Sequence, residues 1–552
     1  MSLHPRPIFD VPEETARIAH AAFPKGNIYL RMRDRLGVFF TDKQFAPLFS
    51  ERGQPAFSPW RLALISVMQF VEDLSDRQAA DAVRGRIDWK YVLGLELENC
   101  GFDQSVLSEF RQRLVTGGVE QKLLDTMLTV FAEQKLLKRR GRQRTDSTHV
   151  LAAIRRLNRL ETIGETMRAA LNVIAAVAPD WLQKIAPLDW YDRYESRVEE
   201  WGLPRDKKER ETWVIQVGQD GLNLLEEIYQ SETHGWLREV AAVQILRRAW
   251  VHQFYYQDER LRLRQPEDLP PSSIRSDSPY DPEAHYSLKR QTNWVGYKVH
   301  LTESCDDDQP HLITHVETTL APQPDANMSA PIHEALAAKD CLPKTHLVDA
   351  GYVDIDQVAA SEQDHNVRLF GPMRPDVSWQ TKAQAGYSRQ DFQINWGAKT
   401  VACPRGIVSD KWRPGVDKQN NEIVEVRFPR RECGACPARE LCTRSVSQPR
   451  QLTLRSQAIE EMLQASRQQQ PTEEWKEEYR RRAGVEGTIS QGANGFGLRE
   501  CRYIGLAKTH LQHILTAAAI NLARLDNWFT GKKRAQTRVS RFSALRPAPA
   551  LA

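Results

Sequence analysis

The sequence predicts an α/β core that carries extra modules: an all-α N-terminal region, a helical insert and a β-rich insertion. Three observations carry this prediction. The apolar run His346-Leu347-Val348 ends in Asp349, and Gly351-Tyr352 follow. That reads as a buried strand whose C-terminal tip presents a carboxylate, with the glycine letting the chain turn off the sheet. Around it, strands and helices alternate as in an α/β sheet. Residues 58–114 and 155–260 instead repeat their apolar residues at helical spacing.

Size and composition set the frame. At 552 residues the chain is long enough for roughly two to four domains. Hydrophobic and charged fractions of 41% and 27% are those of a soluble globular protein. No apolar run approaches the ~20 residues of a membrane span, and the opening Met-Ser-Leu-His-Pro-Arg-Pro lacks the apolar region of a secretory signal. The expectation is a cytoplasmic protein with no membrane partner. The net charge of +4 is small for this length. Basic clusters at Lys135 to Arg144, Arg155-Arg156, Arg480 to Arg482 and from Lys532 onward each read singly as solvated faces. Several of them lie close in sequence to candidate acids, which points to a polyanionic partner. Eight cysteines in a chain of this kind do not suggest a disulfide framework.

In order, residues 1–50 give weak, partly helical signals. Ser58-Pro59 supplies an N-cap and first-turn proline for a helix carrying Leu62, Ile65 and Phe70. Ser75-Asp76 opens a second helix, Trp89 to Leu93 a third, and Asp103 caps a fourth bearing Arg111 and Arg113. Short helices with basic residues would suit a helix-turn-helix-like DNA-binding unit, but taken alone the pattern favours a plain helical bundle. A basic hinge over Lys135–Arg142 leads to a strand, Gln143 to Ile154, interrupted by polar Asp146-Ser147-Thr148. A buried, unpaired carboxylate is costly, so Asp146 needs a reason such as metal coordination or a solvent-facing position. Residues 155–260 read as helix almost throughout, punctuated by Pro204 and Gly221, with no evident chemistry.

Asn293 to Leu301 and Leu312 to Thr319 form a predicted hairpin beside the Asp146 strand. A helix over Met328–Ala338, the Asp349 strand, a helix from Ile355 and a strand Val367–Phe370 follow. Residues 375–450 hold short strands, Phe392–Trp396 and Ile423–Phe428, between prolines and glycines. Helix returns from about Ala458, and a strongly apolar helix runs from Leu511 to about Leu525. The expected segments are 1–135; 136–154 with 275–374; 155–274; 375–450; 451–530; and a disordered basic tail, 531–552.

Phosphodiester chemistry is one use for several acids drawn from separate elements. The attacking oxygen must lose a proton and the leaving oxygen must be neutralised. Two divalent ions ~3.5–4 Å apart do both, and hard Mg²⁺ prefers carboxylate oxygens. Glu486 follows Arg482 by four residues and Tyr479 by seven, so on one helix the three would share a face. An ordinary surface ion pair gives the same spacing.

Arg-Thr-Asp146-Ser-Thr-His, Leu-Val-Asp349-Ala-Gly-Tyr and Tyr479-x2-Arg482-x3-Glu486 together resemble the DDE transposases of bacterial insertion sequences. The resemblance implies an RNase H-like mixed sheet with helices. It implies Asp146, Asp349 and Glu486 as catalytic acids holding Mg²⁺ or Mn²⁺, with Tyr479 and Arg482 on a signature helix. Asp281-Pro-Glu-Ala-His285 with Trp294-x-Gly296-Tyr297-Lys298-x-His300 looks like the family's second-strand region, and 57–114 like its N-terminal domain. The family's lysine seven residues after the glutamate is Ala493 here; Lys508 or Arg499 would have to substitute. Lys298 and Trp294 are further candidate DNA contacts, Trp294 by stacking on an unpaired base or else as a core tryptophan. The implied partners are double-stranded DNA, as terminal inverted repeats and target, and a second copy of the chain. The implied reaction is hydrolysis at the element end, then attack of the freed 3′-hydroxyl on another strand. A non-enzymatic DNA-binding relative and a stand-alone nuclease are the rival readings.

Cys403, Cys433, Cys436 and Cys442 fall in the β-rich insertion, where a small module with little core gains from a metal staple. Similar family members carry a cysteine cluster there. A four-thiolate zinc site is one reading; free buried thiols or a redox-sensitive pair is the other.

Overall fold

The computed structural model describes every residue except 9, 276, 290, 374–377, 418–420, 534–544 and 546–552. The predicted disordered tail therefore lies almost wholly outside the described residues. The chain divides into two compact units: Met1–Pro324 with Ala338–Cys341 and Gly484–Ala552, and Asp325–Ala337 with Leu342–Ala483.

In the first unit the expected α-helices form: Pro59–Val71, Asp76–Gly85, Ile87–Leu93 and Ser105–Thr116. Ser75 closes a capping box with Gln78 on the second. Ser58 does not cap its own helix; its hydroxyl donates to Asp42 (2.7 Å), which also accepts the Trp60 N–H. Arg111 and Arg113 are spent inside the unit. Arg111 is buried and grips both oxygens of Asp76 at 2.9 and 2.5 Å. Arg113 donates to the Leu48 carbonyl and lies over Phe49. These two arginines are structural, not a DNA-facing pair.

The strand Thr292–Ser304 organises the sheet of this unit. It pairs antiparallel with Arg142–Leu151, with His285–Lys289 and with Ile313–Leu320. Asp146 lies opposite Leu301. His285–Lys289 is a strand that the periodicity did not reveal. The sheet passes Gly296 (φ 153°) so closely that an added Cβ would lie 2.2 Å from the Val150 carbonyl oxygen, which only glycine avoids. The second-strand motif closes on itself: Tyr297 donates its hydroxyl to both oxygens of buried Asp281, at 2.7 and 2.8 Å.

The last helix, Leu506–Phe529, is buried along most of its length. Ile514, Ala518, Leu522 and Leu525 share one core with Trp60, Phe70, Phe110 and Phe131 of the N-terminal helices and with Tyr297, Val299 and Leu301 of the sheet. The N-terminal helices thus share their main core with the sheet, and Ala19, Leu30 and Tyr91 form a small second cluster among the helices.

Residues 159–263 build a separate core from Ile163, Met167, Val217, Leu224, Leu246 and Trp250. Gly221 does not punctuate it. It sits inside the helix Lys207–Gln230, where the Trp250 ring passes within 2.3 Å of the position a Cβ would take. A hairpin, Phe254–Gln257 with Arg260–Leu263, ends the segment where helix was expected.

In the second unit, Thr345–Leu347 and Arg368–Phe370 pair in parallel, with the helix Ile355–His365 between them in sequence. The β-rich segment contains the pair Gln393–Asn395 with Thr400–Ala402, and the three-stranded sheet Lys411–Val416, Glu422–Arg427 and Gln451–Leu454. Phe392, Val401, Val426, Phe428, Leu452 and Leu454 give it a small core of its own. The chain is therefore mixed α/β, with antiparallel and parallel strand pairs. Among the described residues, no helix is long and apolar enough to cross a membrane.

Candidate catalytic site

Asp146 lies mid-strand in the first unit, 8% exposed, and its Oδ1 accepts the Ser147 N–H at 2.8 Å. What fixes that strand is a buried network. Arg144, two residues earlier and so on the same strand face, reaches Glu303 through Nε at 2.7 Å and Nη2 at 2.6 Å. Glu303 is fully buried on the partner strand. Its second oxygen accepts from Arg524 (2.6 Å) and from the Thr488 hydroxyl (2.5 Å). Burial alone would raise its pKa; Arg524 first, then Arg144, hold it below the ordinary glutamate range. Thr488 lies on the buried side of the helix Gly484–Gly495, and Glu486 on its exposed side. The network thus ties the strand bearing Asp146 to the helix bearing Glu486. Arg144 was in view as part of a motif. Glu303, Thr488 and Arg524 carry no sequence signal, since each becomes meaningful only when the chain is folded.

In the second unit, Asp349 sits two residues beyond its strand, half-buried, as the apolar run predicts. Its Oδ1 accepts the Gly351 N–H at 2.8 Å, an Asx turn. Arg482 Nη2 stands 3.9 Å from its Oδ2. Asp325, which the sequence reading passed over, faces the same turn: a Cβ on Gly351 would lie 2.9 Å from Asp349 and 3.6 Å from Asp325.

The single signature helix is not observed. Glu473–Arg480 ends in a 3₁₀ turn, Arg481–Ala483, before Gly484–Gly495 begins. Gly484 leaves no room for a side chain there, because Arg144 occupies the space within 2.1 Å of a Cβ. Tyr479 stacks on Trp475 at 4.8 Å and leans on Phe370.

Of the other candidate DNA contacts, Lys508 is exposed in the first turn of the last helix. Trp294 is 2% exposed and donates to the Tyr297 carbonyl; it is a core tryptophan and offers no face to a base. Lys298 is buried, its ammonium donating to the Gln323 carbonyl at 2.6 Å. Arg499 binds the Thr148 hydroxyl at 2.9 Å.

Cys403, Cys433, Cys436 and Cys442 line one small cavity with Phe428 and Tyr387. Burial raises the Cys442 thiol to about 11, and its neighbouring thiols add to the rise. Of the two readings of these cysteines, zinc is not supported: among the described residues no group of three or more His, Cys, Asp or Glu is arranged to hold a metal ion. The sulfurs of Cys403, Cys433 and Cys442 pack instead against the small apolar core.

Two family models match the chain. A transposase DDE domain matches residues 402–526, a span that includes Tyr479, Arg482 and Glu486 and the four cysteines. A transposase domain, DUF772, matches residues 17–113, the N-terminal helices. No curated protein and no solved structure matches the chain. The two matches, one in each half of the chain, support a DDE transposase of an insertion sequence.

Proposed function

We propose that this protein binds the terminal inverted repeats of its own element and cuts and joins DNA there, with Asp146, Asp349 and Glu486 as the metal-holding carboxylates of an RNase H-like core. The observation that carries the reading is the transposase DDE domain match that includes Glu486. Asp146 on a strand and Asp349 at a strand tip supply the two earlier acids in the order the family requires. All three are hard oxygen donors of the kind Mg²⁺ or Mn²⁺ takes. When bound, such ions activate the attacking oxygen and neutralise the leaving one.

The protein's own contribution is positional. The Ser147 and Gly351 N–H groups orient the two aspartates. Arg482 balances the Asp349 charge and presents a guanidinium to phosphate. Tyr479 and Lys508 flank the DNA end, the N-terminal helices and the basic run at Lys135–Arg144 take the repeats, and a second copy of the chain brings the other end. In this reading 155–274 is an insert in the core and 375–450 a second insertion ahead of Glu486.

The test uses duplexes copied from the DNA flanking the reading frame. Asp349→Asn is expected to abolish Mg²⁺-dependent end cleavage and leave duplex binding within about twofold, since the loss is confined to the reacting centre. Cleavage that survives in this variant overturns the assignment.

A further inference from the structure

A cavity of about 480 Å³ opens in the first unit beside the Asp146 strand, where the helical segment leaves the sheet. Arg156, Arg159 and Arg275 line it, with Asp277, Tyr286 and Val295. The charges do not cancel. Asp277 gives one oxygen to Arg275 (2.9 Å) and the other to the Tyr286 N–H (2.8 Å). Glu161, the other acid at the wall, caps the helix Arg159–Val177 and accepts the Glu200 N–H. Both carboxylates are engaged by the protein itself.

The guanidiniums keep donors in reserve. Arg159 gives Nε to Gln253 and Nη2 to the Arg264 carbonyl, and Nη1 has no acceptor among the described residues. Among the described residues Arg275 commits only Nε. Arg156 is exposed and has no protein partner among the described residues. Burial and then Arg275 lower the pKa of Arg159. Burial and then Arg248, Arg264 and Arg275 lower that of His252, on the wall of the adjoining cavity. Arginines thus outnumber carboxylates on this wall.

Two further cations stand near the Asp146 strand itself. Lys289 Nζ lies 3.5 Å from the Ser147 hydroxyl, and Arg499 donates to the Thr148 hydroxyl at 2.9 Å. His149 is lowered by burial, then by Arg499 and Lys289.

We propose that this cavity seats a backbone phosphate of the DNA strand, with Arg156, Arg159 and Arg275 as its donors. Planar guanidiniums with free forked donors match phosphate geometry. The proposal rests on the DNA-processing reading above, but its test does not depend on cleavage.

Duplex binding is measured over a salt series on the Asp349→Asn background, with inorganic phosphate as a second probe. R156E is compared with R156K and with R205E, an exposed arginine elsewhere in the insert that receives the same charge change. R156E is expected to weaken duplex binding roughly tenfold and to lower the slope of log Kd against log salt by about 1. R156K should keep most of the affinity, and R205E should stay within about twofold of the parent. Equal losses in R156E and R205E overturn the proposal. So does loss of inorganic phosphate binding with duplex affinity intact, which would make the cavity a free-anion site. Cleavage by Asp349→Asn itself would sink the catalytic assignment while leaving these binding results to stand.

Discussion

Glu303 shows how much one side chain can hold. It is fully buried and meets Arg144, Arg524 and Thr488. Replacing it by Gln leaves buried Arg144 and half-buried Arg524 without their counter-charge, and breaking a buried pair costs about 3–5 kcal/mol. Glu303→Gln is therefore expected to lower the thermal unfolding midpoint sharply. Thr488→Val, which removes one neutral partner, should cost only about 1 kcal/mol. If the two variants unfold together with wild type, the network does not anchor the strand. Gly296→Ala belongs at the same scale. Its Cβ would strike the Val150 carbonyl, so poor soluble yield is expected, and a well-folded variant would contradict the close approach. The sequence displayed Asp349 clearly, because an apolar run that stops at an acid is a local pattern. It could not display Glu303, whose partners lie 159 and 221 residues away. Nor could it show that Trp294 and Lys298 turn inward, since alternation along a strand gives two faces without saying which one is covered.

At the scale of elements, glycine misled where it is not a breaker. Gly218 and Gly221 share one face of the helix Lys207–Gln230, against Phe254 and Trp250. Alanine in a helix is ordinarily favoured over glycine by about 1 kcal/mol. Here the methyl would overlap the indole, and overpacking costs about 1–3 kcal/mol. Gly221→Ala is expected to destabilise, read by chemical denaturation. A stabilised variant would mean the indole moves aside freely. The helical periods over 58–114 and the hairpin of Asn293 to Leu301 with Leu312 to Thr319 were legible because each repeats a local rule. The break at Arg481–Ala483 was not, because the Arg144 side chain that crowds Gly484 comes from a strand more than 300 residues earlier.

Across the whole molecule, buried imidazoles set the pH range. His333 meets His346 at 2.8 Å, and burial pushes His333 down to about 4. His513, fully buried beside Thr318, is lowered by burial and by His510. A ring whose folded pKa lies below its unfolded value binds its proton more readily unfolded. The stability it contributes is complete above about pH 6.5 and is lost as pH falls from there toward 4, on the order of 3 kcal/mol for His333. The unfolding midpoint should therefore drop steadily below pH 6.5, and a flat profile from 7 to 4.5 would refute the assignment.

The last helix has a consequence for the gene. Ile514, Ala518 and Leu522 complete the core that Trp60, Phe70 and Phe131 begin. The ribosome must therefore read past Leu522 before the first helices can complete that core. A premature stop or frameshift ahead of Phe529 would release a product with its interior open to water, fit for proteolysis. Decayed copies of such a gene should then leave no stable fragment to compete with an intact one.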